Sequence, residues 1–392
     1  MQDETSATHA GRDPQRFHGA VNPPVYHVST VLSRTLAEYE QKRADWAAET
    51  PGVYYYGRHG TPTTEALQQA IAALEGGHRC MLYPSGLAAC AGALLSCLAA
   101  GDHLLVSDSV YGPTRHFAGT LLRRYGVETT FFDPLVAGGI EVLFRPNTRA
   151  VYLESPGSLT FEVHDVPAIA EAAHKRGARV IMDNTWGTPI YFKPFEHGVD
   201  VSVHSATKYI VGHADAMLGT ATATKEAWPA LKATAHELGQ AAGPDDVYFA
   251  LRGLRTLPVR LKQHWESGVV LAEWCARQPE VERVLYPALP ADPGHALWKR
   301  DFKGACGLFS VVLRPVRREA FAALVDGLSL YGIGASWGGF ESLIAPFDPN
   351  EVRSATRWPH AGPCFRIHAG LEHVDDLIAD MDEGFRRLRA SL

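Results

Sequence analysis

Short apolar runs alternate with amphipathic stretches through the middle of the chain, from about residue 61 to about residue 235. Runs of this length, bounded by turn-forming residues, are typical of buried strands. The predicted strands span residues 79–83, 103–108, 129–133, 150–154, 179–183 and 200–204. Helical stretches such as residues 166–176 separate most of them. This alternation predicts an α/β domain in which helices cover a mostly parallel sheet on both faces.

The pattern differs on either side of this region. Residues 1–60 contain Pro-Pro and Pro-Gly pairs, aromatic clusters and a polar helix predicted near residues 36–48, and we interpret them as an extended arm. Residues 241–392 predict a smaller α+β domain, which leaves residues 61–240 as the α/β domain. The predicted elements of the C-terminal domain are a helix at about 261–277, a strand at 307–313, a helix at 318–328, a strand at 364–368 and a helix at 374–388.

Composition narrows the class of protein. A chain of 392 residues favours two domains, and its net charge of −6 provides no basic surface for nucleic acid. No apolar run approaches the ~20 residues of a membrane span, and the polar N-terminus lacks the apolar segment of a secretory signal. Six cysteines form no CxxC pair, and the histidines show no metal-ligand spacing such as HExxH. We therefore expect a cytoplasmic protein without a metal, membrane or nucleic-acid partner.

Two reactive side chains follow apolar runs. Asp183 closes one run, and Lys208 follows the next run within Ser205-Ala206-Thr207-Lys208. Each alone is ordinary, because an aspartate after a strand is most often a turn former and Ser-x-Thr-Lys is usually a strand end. Together they meet the needs of pyridoxal phosphate (PLP), which requires a lysine for a Schiff base and a carboxylate that keeps the pyridine nitrogen protonated. Both fall at strand carboxyl ends, where such sheets bind ligands.

A phosphate group needs donors of its own. Ser85, Gly86 and Leu87 stand between a predicted strand and a small-residue helix, where backbone N–H groups at the helix start can bind an anion. The hydroxyls of Ser205 and Thr207 add donors beside Lys208. A plain strand–turn–helix junction remains the alternative for the first segment.

Other candidates point to a substrate amino acid. Tyr111 lies just beyond a predicted strand, where it would either stack on a planar ring and share protons or pack on its own loop. Arg366 lies in a predicted buried strand, and a buried arginine needs an anion such as a substrate carboxylate. Ser336 and Trp337 belong to a glycine-rich loop that could offer donors to the same carboxylate.

Longer strings carry a family resemblance. In order along the chain they are YGRHGTPT at 56–63, SGL at 85–87, ESPGS at 154–158, DNTW at 183–186, SATKY at 205–209, RGLRTL at 252–257, SWGGFESL at 336–343 and RIHAGLE at 366–372. With these strings the chain resembles the Cys/Met-metabolism group of fold-type I PLP enzymes, most closely its bacterial cystathionine β-lyases. The resemblance runs from about residue 20 to about residue 385.

The resemblance implies a fold and a set of roles. The fold is that of fold-type I PLP-dependent transferases, with a seven-stranded sheet. Lys208 forms the Schiff base, Asp183 pairs with the pyridinium and Tyr111 stacks on the ring, while Arg366 takes the α-carboxylate. The phosphate is bound by Ser85, Gly86, Leu87, Ser205 and Thr207, joined by Tyr56 and Arg58 from a neighbouring subunit. A site shared in this way implies a homo-oligomer, commonly a tetramer of two dimers.

Details of the strings distinguish the subfamilies. Gly157-Ser158 stands where γ-lyases and γ-synthases usually carry Asn-Pro, and Pro113 stands where methionine γ-lyases usually have a cysteine. The resemblance thus implies PLP-dependent β-elimination on L-cystathionine, which gives homocysteine, pyruvate and ammonia. γ-Lyase, γ-synthase and methionine γ-lyase activities are less favoured. A PLP-bound regulatory protein without catalysis is least favoured, because every catalytic position is filled.

Two histidines mark the distal end of the substrate. His59 stands where these β-lyases often have an arginine after Arg58, and His116 stands where they often have an acid five residues past Tyr111. This difference keeps open a broader cysteine-S-conjugate β-lyase that acts on other S-substituted cysteines.

Overall fold

A seven-stranded sheet forms the larger part of the protein, in a computed structural model that describes all 392 residues. Its strands are β1 (Arg79–Tyr83), β2 (His103–Ser107), β3 (Glu128–Phe132), β4 (Thr148–Glu154), β5 (Arg179–Asp183), β6 (Val201–Ser205) and β7 (Gly219–Ala223). They are arranged in the order β1-β7-β6-β5-β4-β2-β3, and only β7 runs antiparallel to its neighbours. The mostly parallel seven-stranded sheet is confirmed, although β7 was not among the strands predicted from the hydrophobic pattern.

A second, five-stranded sheet lies in the C-terminal part of the chain. Its strands are β8 (Val281–Leu285), β9 (Leu308–Leu313), β10 (Gly332–Ile333), β11 (Leu343–Phe347) and β12 (Cys364–His368), in the order β10-β11-β12-β9-β8. All neighbours are antiparallel except β10 and β11. The predicted strands at 307–313 and 364–368 correspond to β9 and β12, whereas β8, β10 and β11 were not predicted.

Twelve α-helices surround the two sheets. They are α1 (Asp3–His9), α2 (Leu36–Ala47), α3 (Pro62–Glu75), α4 (Gly86–Leu95), α5 (Gly112–Phe117), α6 (Val166–Lys175), α7 (Thr188–Tyr191), α8 (Trp228–Glu237), α9 (Pro244–Ala276), α10 (His295–Asp301), α11 (Arg318–Val325) and α12 (Val374–Ala390). The helix predicted at 261–277 is only the second half of α9, which continues through Pro258. None of the helices has both the length and the apolarity needed to cross a bilayer.

The N-terminal residues are tied to the body of the chain. Helix α1 packs on α3 and α9, and the Nζ of the buried Lys193 donates to Asp3 Oδ1 at 2.8 Å. The predicted extended arm therefore begins with a docked helix. The domain boundaries at 60/61 and 240/241, and the reach of the arm to another subunit, stay predictions.

Parallel pairing brings chemistry to one edge of the large sheet. Glu154 ends β4, Asp183 ends β5 and Ser205 ends β6, and these three strands run in the same direction. Large apolar clusters pack on the two faces of the sheet. The polar strand ends therefore meet at one edge of a rigid core, which is where ligands bind in α/β sheets.

Candidate active site

Asp183 is held in place by the residue two positions after it. Its Oδ1 accepts hydrogen bonds from the Thr185 backbone N–H at 3.0 Å and from the Thr185 hydroxyl at 2.5 Å. The same hydroxyl oxygen accepts from the Ser205 N–H at 2.9 Å, which links β5 to β6. Burial raises the pKa of Asp183 although the Thr185 bonds lower it. A buried carboxyl of this kind is ready to pair with a cationic ring nitrogen.

Lys208 lies three residues beyond the end of β6. Its Nζ donates to Ser336 Oγ at 2.8 Å and lies 5.6 Å from the centre of the Trp337 ring. Burial and the positive charge of Arg366 lower the pKa of Lys208 to about 8, while Asp183 opposes the shift. An appreciable fraction of the amine is therefore unprotonated near neutral pH, as a nucleophile or a general base requires.

Arg366 is a buried cation that forms no ion pair. It lies in β12 with only 7% of its surface exposed, and its one side-chain hydrogen bond runs from Nη2 to the Ala335 carbonyl at 3.3 Å. Burial lowers the pKa of Arg366 to about 10. Because a buried guanidinium without a counter-ion is costly, a substrate carboxylate is a suitable partner.

Helix α4 begins against β6 at the same edge. Ser85 caps the helix by accepting from the Ala88 N–H at 3.2 Å. A Cβ on Gly86 would lie 2.6 Å from the Ser205 Cβ, so only glycine allows this approach. The first N–H groups of a helix have no partners within it, and they stand here beside the Ser205 hydroxyl.

The Thr207 hydroxyl, unlike that of Ser205, is already hydrogen-bonded to the backbone. Its hydroxyl donates to the Leu218 carbonyl at 3.1 Å and accepts from the Leu218 N–H at 2.9 Å. To bind a phosphate, the hydroxyl proton would have to turn away from Leu218. Thr207 as a phosphate ligand stays a prediction.

The donor set of this edge fits PLP. A lysine amine with a lowered pKa, a buried carboxyl group and a helix N-terminus stand at the ends of adjacent elements. These groups match the aldehyde, the pyridine nitrogen and the phosphate of the cofactor, in that order.

Tyr111, a predicted site residue, contacts Glu154, for which no role was predicted. The Tyr111 N–H donates to Glu154 Oε2 at 2.6 Å, while 44% of the tyrosine surface is exposed. Glu154 pairs in register with Asp183, and burial together with that neighbour raises the pKa of Glu154 well above its ordinary value. Burial also raises the pKa of Tyr111, so its phenol is neutral here. The sequence predicts no role for Glu154, which stands in the ESPGS string at 154–158, although, like Asp183, it closes an apolar run.

The residues predicted to come from a neighbouring subunit lie elsewhere in the chain. Arg58 Nη1 donates to the His236 carbonyl at 3.1 Å, and the His59 ring lies 4.6 Å from the Trp46 ring. Tyr56 contacts this same group through its ring, 5.8 Å from that of His59. None of them forms a hydrogen bond, ion pair or ring contact with Lys208, Asp183 or Arg366. A single chain therefore does not bring them to the lysine.

His116 has a different environment from His59. It is exposed near the end of the short helix α5, and its carbonyl accepts from the Thr120 hydroxyl at 2.6 Å. The structure thus brings together Lys208, Asp183, Arg366 and Ser336, and leaves His116 at the surface.

Known proteins match this chain over almost its full length. The family model described as Cys/Met metabolism PLP-dependent enzyme matches residues 4–386. Cystathionine β-lyase MetC of Escherichia coli is 44% identical over 391 residues, which cover 98% of each protein. Cystathionine β-lyase of Salmonella typhimurium is 43% identical over 393 residues, which cover 99% of each.

A solved structure adds the fold. The crystal structure of metB from Corynebacterium glutamicum superposes with a TM-score of 0.90 at 29% identity, covering 99% of this chain and 98% of that chain. The fold-type I architecture and the PLP dependence predicted from the sequence are confirmed. This chain belongs to the Cys/Met-metabolism family of PLP-dependent enzymes.

Proposed function

We propose that this enzyme is a carbon–sulfur lyase that cleaves L-cystathionine by β-elimination to homocysteine, pyruvate and ammonia. The observation that carries the reaction class is the meeting of Lys208, Asp183 and the unpaired Arg366 at one edge of the sheet. The names of the relatives that are 43% and 44% identical support the substrate.

PLP, when bound, holds the substrate amine covalently and draws electrons away from Cα. Asp183 keeps a proton on the pyridine nitrogen, and Thr185 fixes the orientation of that carboxylate. The start of α4, with Ser85, Gly86 and Leu87, holds the phosphate together with Ser205 and Thr207.

The substrate is oriented by its α-carboxylate. The Arg366 guanidinium binds that group, and the loop that carries Ser336 and Trp337 lies beside it on the Lys208 side. This arrangement directs the Cα hydrogen toward the Lys208 amine. Because the pKa of Lys208 is lowered to about 8, the amine can accept the Cα proton near neutral pH.

Tyr111 acts on the leaving group in this proposal. Its raised pKa keeps the phenol protonated, so the hydroxyl is suited to donate a proton to the departing sulfur rather than to act as a base. A phenolate at Tyr111 would require additional positive charge next to the ring.

A broader cysteine-S-conjugate β-lyase is the second candidate. Burial and Arg58 lower the pKa of His59, so this residue supplies no fixed positive charge for a distal carboxylate. Without such a charge, a substrate with a smaller or less polar distal group would be accepted.

The complete site requires a second chain in this proposal. We place Tyr56 and Arg58 of one subunit at the cofactor phosphate of another, in a cytoplasmic homotetramer built from two dimers. The separation of these residues from Lys208 within one chain supports this arrangement.

A product assay tests the function. Purified enzyme loaded with PLP is given L-cystathionine, S-methylcysteine, cystine or methionine, and pyruvate and 2-oxobutyrate are measured. The proposal expects pyruvate with a clear preference for cystathionine, and almost none from Lys208→Ala. Pyruvate chiefly from the other thioethers would favour the broader β-lyase, and 2-oxobutyrate would overturn β-elimination.

A further inference from the structure

The loop that carries Ser336 rests directly on the backbone at Lys208. Gly338 has a φ of +86°, and a Cβ there would lie 2.9 Å from the Lys208 carbonyl carbon and 2.9 Å from the Tyr209 nitrogen. The two residues at its start make the contacts with the reacting groups, because Ser336 Oγ accepts from Lys208 and the Ala335 carbonyl accepts from Arg366. The position of this loop therefore sets the geometry of two groups that handle the substrate.

A buried histidine holds the other end of this loop. His368 follows Arg366 by two residues in β12, so both side chains point to the same face of the strand. Its Nε2 lies 3.1 Å from the Gly339 carbonyl oxygen, and its Nδ1 lies 3.4 Å from the Tyr209 hydroxyl. Because a carbonyl can only accept, Nε2 carries the proton, and Nδ1 is left to accept from the tyrosine.

The chain of contacts extends one step further into the core. The Tyr209 hydroxyl oxygen accepts from the Gly307 N–H at 3.1 Å, which orients its proton toward His368. His368 is 1% exposed, and burial followed by the neighbouring His264 lowers the pKa of His368 to about 3. The imidazole is thus neutral and keeps a single tautomer over the working range of pH.

We propose that His368 is a positioning residue for the substrate, which fixes the 335–339 loop through Gly339 and so sets how tightly the α-carboxylate is bound. The inference rests on the proposed function for its substrate, but the contacts themselves belong to the chain. His368 touches neither Lys208 nor Arg366 by hydrogen bond, so its effect on the substrate passes through the loop.

His264 provides a matched control. Its ring centre lies 5.1 Å from that of His368, it is fully buried, and its Nδ1 also bonds a backbone carbonyl, that of Ala369 at 2.8 Å. The two histidines thus share burial, neighbourhood and the kind of hydrogen bond. Only the carbonyl bound by His368, that of Gly339, belongs to the 335–339 loop.

The test compares His368→Phe, His368→Gln and His264→Phe in the PLP-loaded enzyme. We measure kcat and KM for L-cystathionine, and the Kd of L-alanine, which has no leaving group on Cβ, from the visible absorbance of the cofactor. His368→Phe should raise both KM and Kd about 5- to 10-fold, the usual effect of one buried hydrogen bond, with a smaller change in kcat. His368→Gln, which retains a donor, should recover part of the loss, and His264→Phe should leave both constants near wild type.

Hydrogen exchange separates failure of this proposal from failure of the proposed function. Amides of residues 335–340 should exchange faster in His368→Phe than in His264→Phe, whether or not the enzyme acts on cystathionine. Equal exchange and equal constants in the two phenylalanine variants would overturn the positioning role. If His368→Phe does not fold, Tyr209→Phe, which removes the donor to Nδ1, should raise the Kd of L-alanine, and an unchanged Kd would overturn the proposal.

Discussion

At the scale of single residues, the site places a lysine where its positive charge is unfavourable. Burial and Arg366 lower the pKa of Lys208 from an ordinary 10.5 to about 8. Well below pH 8 the amine is protonated in both the folded and the unfolded chain, and the folded chain bears the full cost of burying the charge. Between pH 8 and 10.5 the unfolded chain binds more protons than the folded chain, so stability rises with pH in this window.

The apoprotein with Lys208→Met should therefore be more stable than the wild-type apoprotein at pH 7. The expected gain in the free energy of unfolding is at most about 3 kcal/mol, and it should shrink as the pH approaches 10. Urea denaturation at pH 7 and pH 9.5 measures both quantities. Lys225→Met, at an exposed position, is the control and should change stability little at either pH. A loss of stability in Lys208→Met at pH 7 would contradict the buried-charge argument.

Arg366 should matter for the substrate far more than for folding. Arg366→Gln removes a charged partner of the α-carboxylate, worth about 1.5–3 kcal/mol, so kcat/KM should fall roughly 10- to 100-fold. Stability should not fall, because the guanidinium is buried without a counter-ion. Steady-state kinetics and urea denaturation are compared with those of Arg357→Gln, an exposed arginine in the segment before β12. Unchanged kcat/KM in Arg366→Gln would exclude the carboxylate role.

At the scale of elements, the start of α4 packs so closely on the end of β6 that no side chain fits at Gly86. Gly86→Ala would place a methyl group 2.6 Å from the Ser205 side chain, so α4 and β6 must separate where the phosphate is expected. We expect the Kd of the apoprotein for PLP to rise at least about tenfold, with about 1–3 kcal/mol of lost stability. Absorbance titration with PLP measures the first effect.

Gly119→Ala is the matched control for this substitution. A Cβ at Gly119 meets no atom within 4 Å, so PLP binding should not change and stability should not fall. An unaltered PLP affinity in Gly86→Ala would place the phosphate away from the start of α4.

The elements also show how far the hydrophobic pattern reaches. Strands rich in large apolar residues, such as β5 with Arg-Val-Ile-Met-Asp, were predicted to the residue. Strand β7 was not, because its Gly-Thr-Ala-Thr-Ala sequence is buried by close packing of small side chains rather than by large ones. The first half of α9 was missed because Pro258 indicates a helix boundary, whereas the helix continues past it.

In the site as well, the residues predicted from the sequence are those with a local pattern, and the residues that were missed depend on tertiary contacts. Lys208 and Asp183 were predicted because together, after successive apolar runs, they meet the needs of PLP, and Arg366 was predicted because it lies in an apolar strand. Glu154 was not assigned a role because its significance depends on the register of β4 with β5. His368 was likewise assigned no role, since only the folded chain places its Nε2 against the Gly339 carbonyl.

At the scale of the whole molecule, the separation of Arg58 from Lys208 predicts that activity depends on assembly. Within one chain Arg58 bonds the His236 carbonyl and makes no contact with Lys208. Several apolar side chains near the site, including Leu87, Tyr111, Met217 and Phe340, are more than a third exposed. Such a surface is suited to be covered by a second copy of the chain.

Mixing two inactive variants tests this arrangement. Lys208→Ala and Arg58→Ala should each have little activity alone, because every site lacks one of the two residues. In a mixed dimer, one site combines Lys208 of the Arg58→Ala subunit with Arg58 of the Lys208→Ala subunit, and that site is intact.

Equal amounts of the two variants, unfolded and refolded together, should therefore recover roughly a quarter of wild-type pyruvate production. Random pairing makes half of the dimers mixed, and one of the two sites in each mixed dimer is intact. Lys208→Ala refolded with Asp183→Ala is the control, since both residues of a site come from the same chain. Each mixed dimer then has one site without Lys208 and one site without Asp183, so neither site is intact and no activity should return. If Lys208 and Arg58 instead serve the site of their own chain, no site in the mixture of Lys208→Ala and Arg58→Ala is intact and no activity returns. Recovery in the control, or its absence in the first mixture, would contradict a site that takes Lys208 from one chain and Arg58 from another.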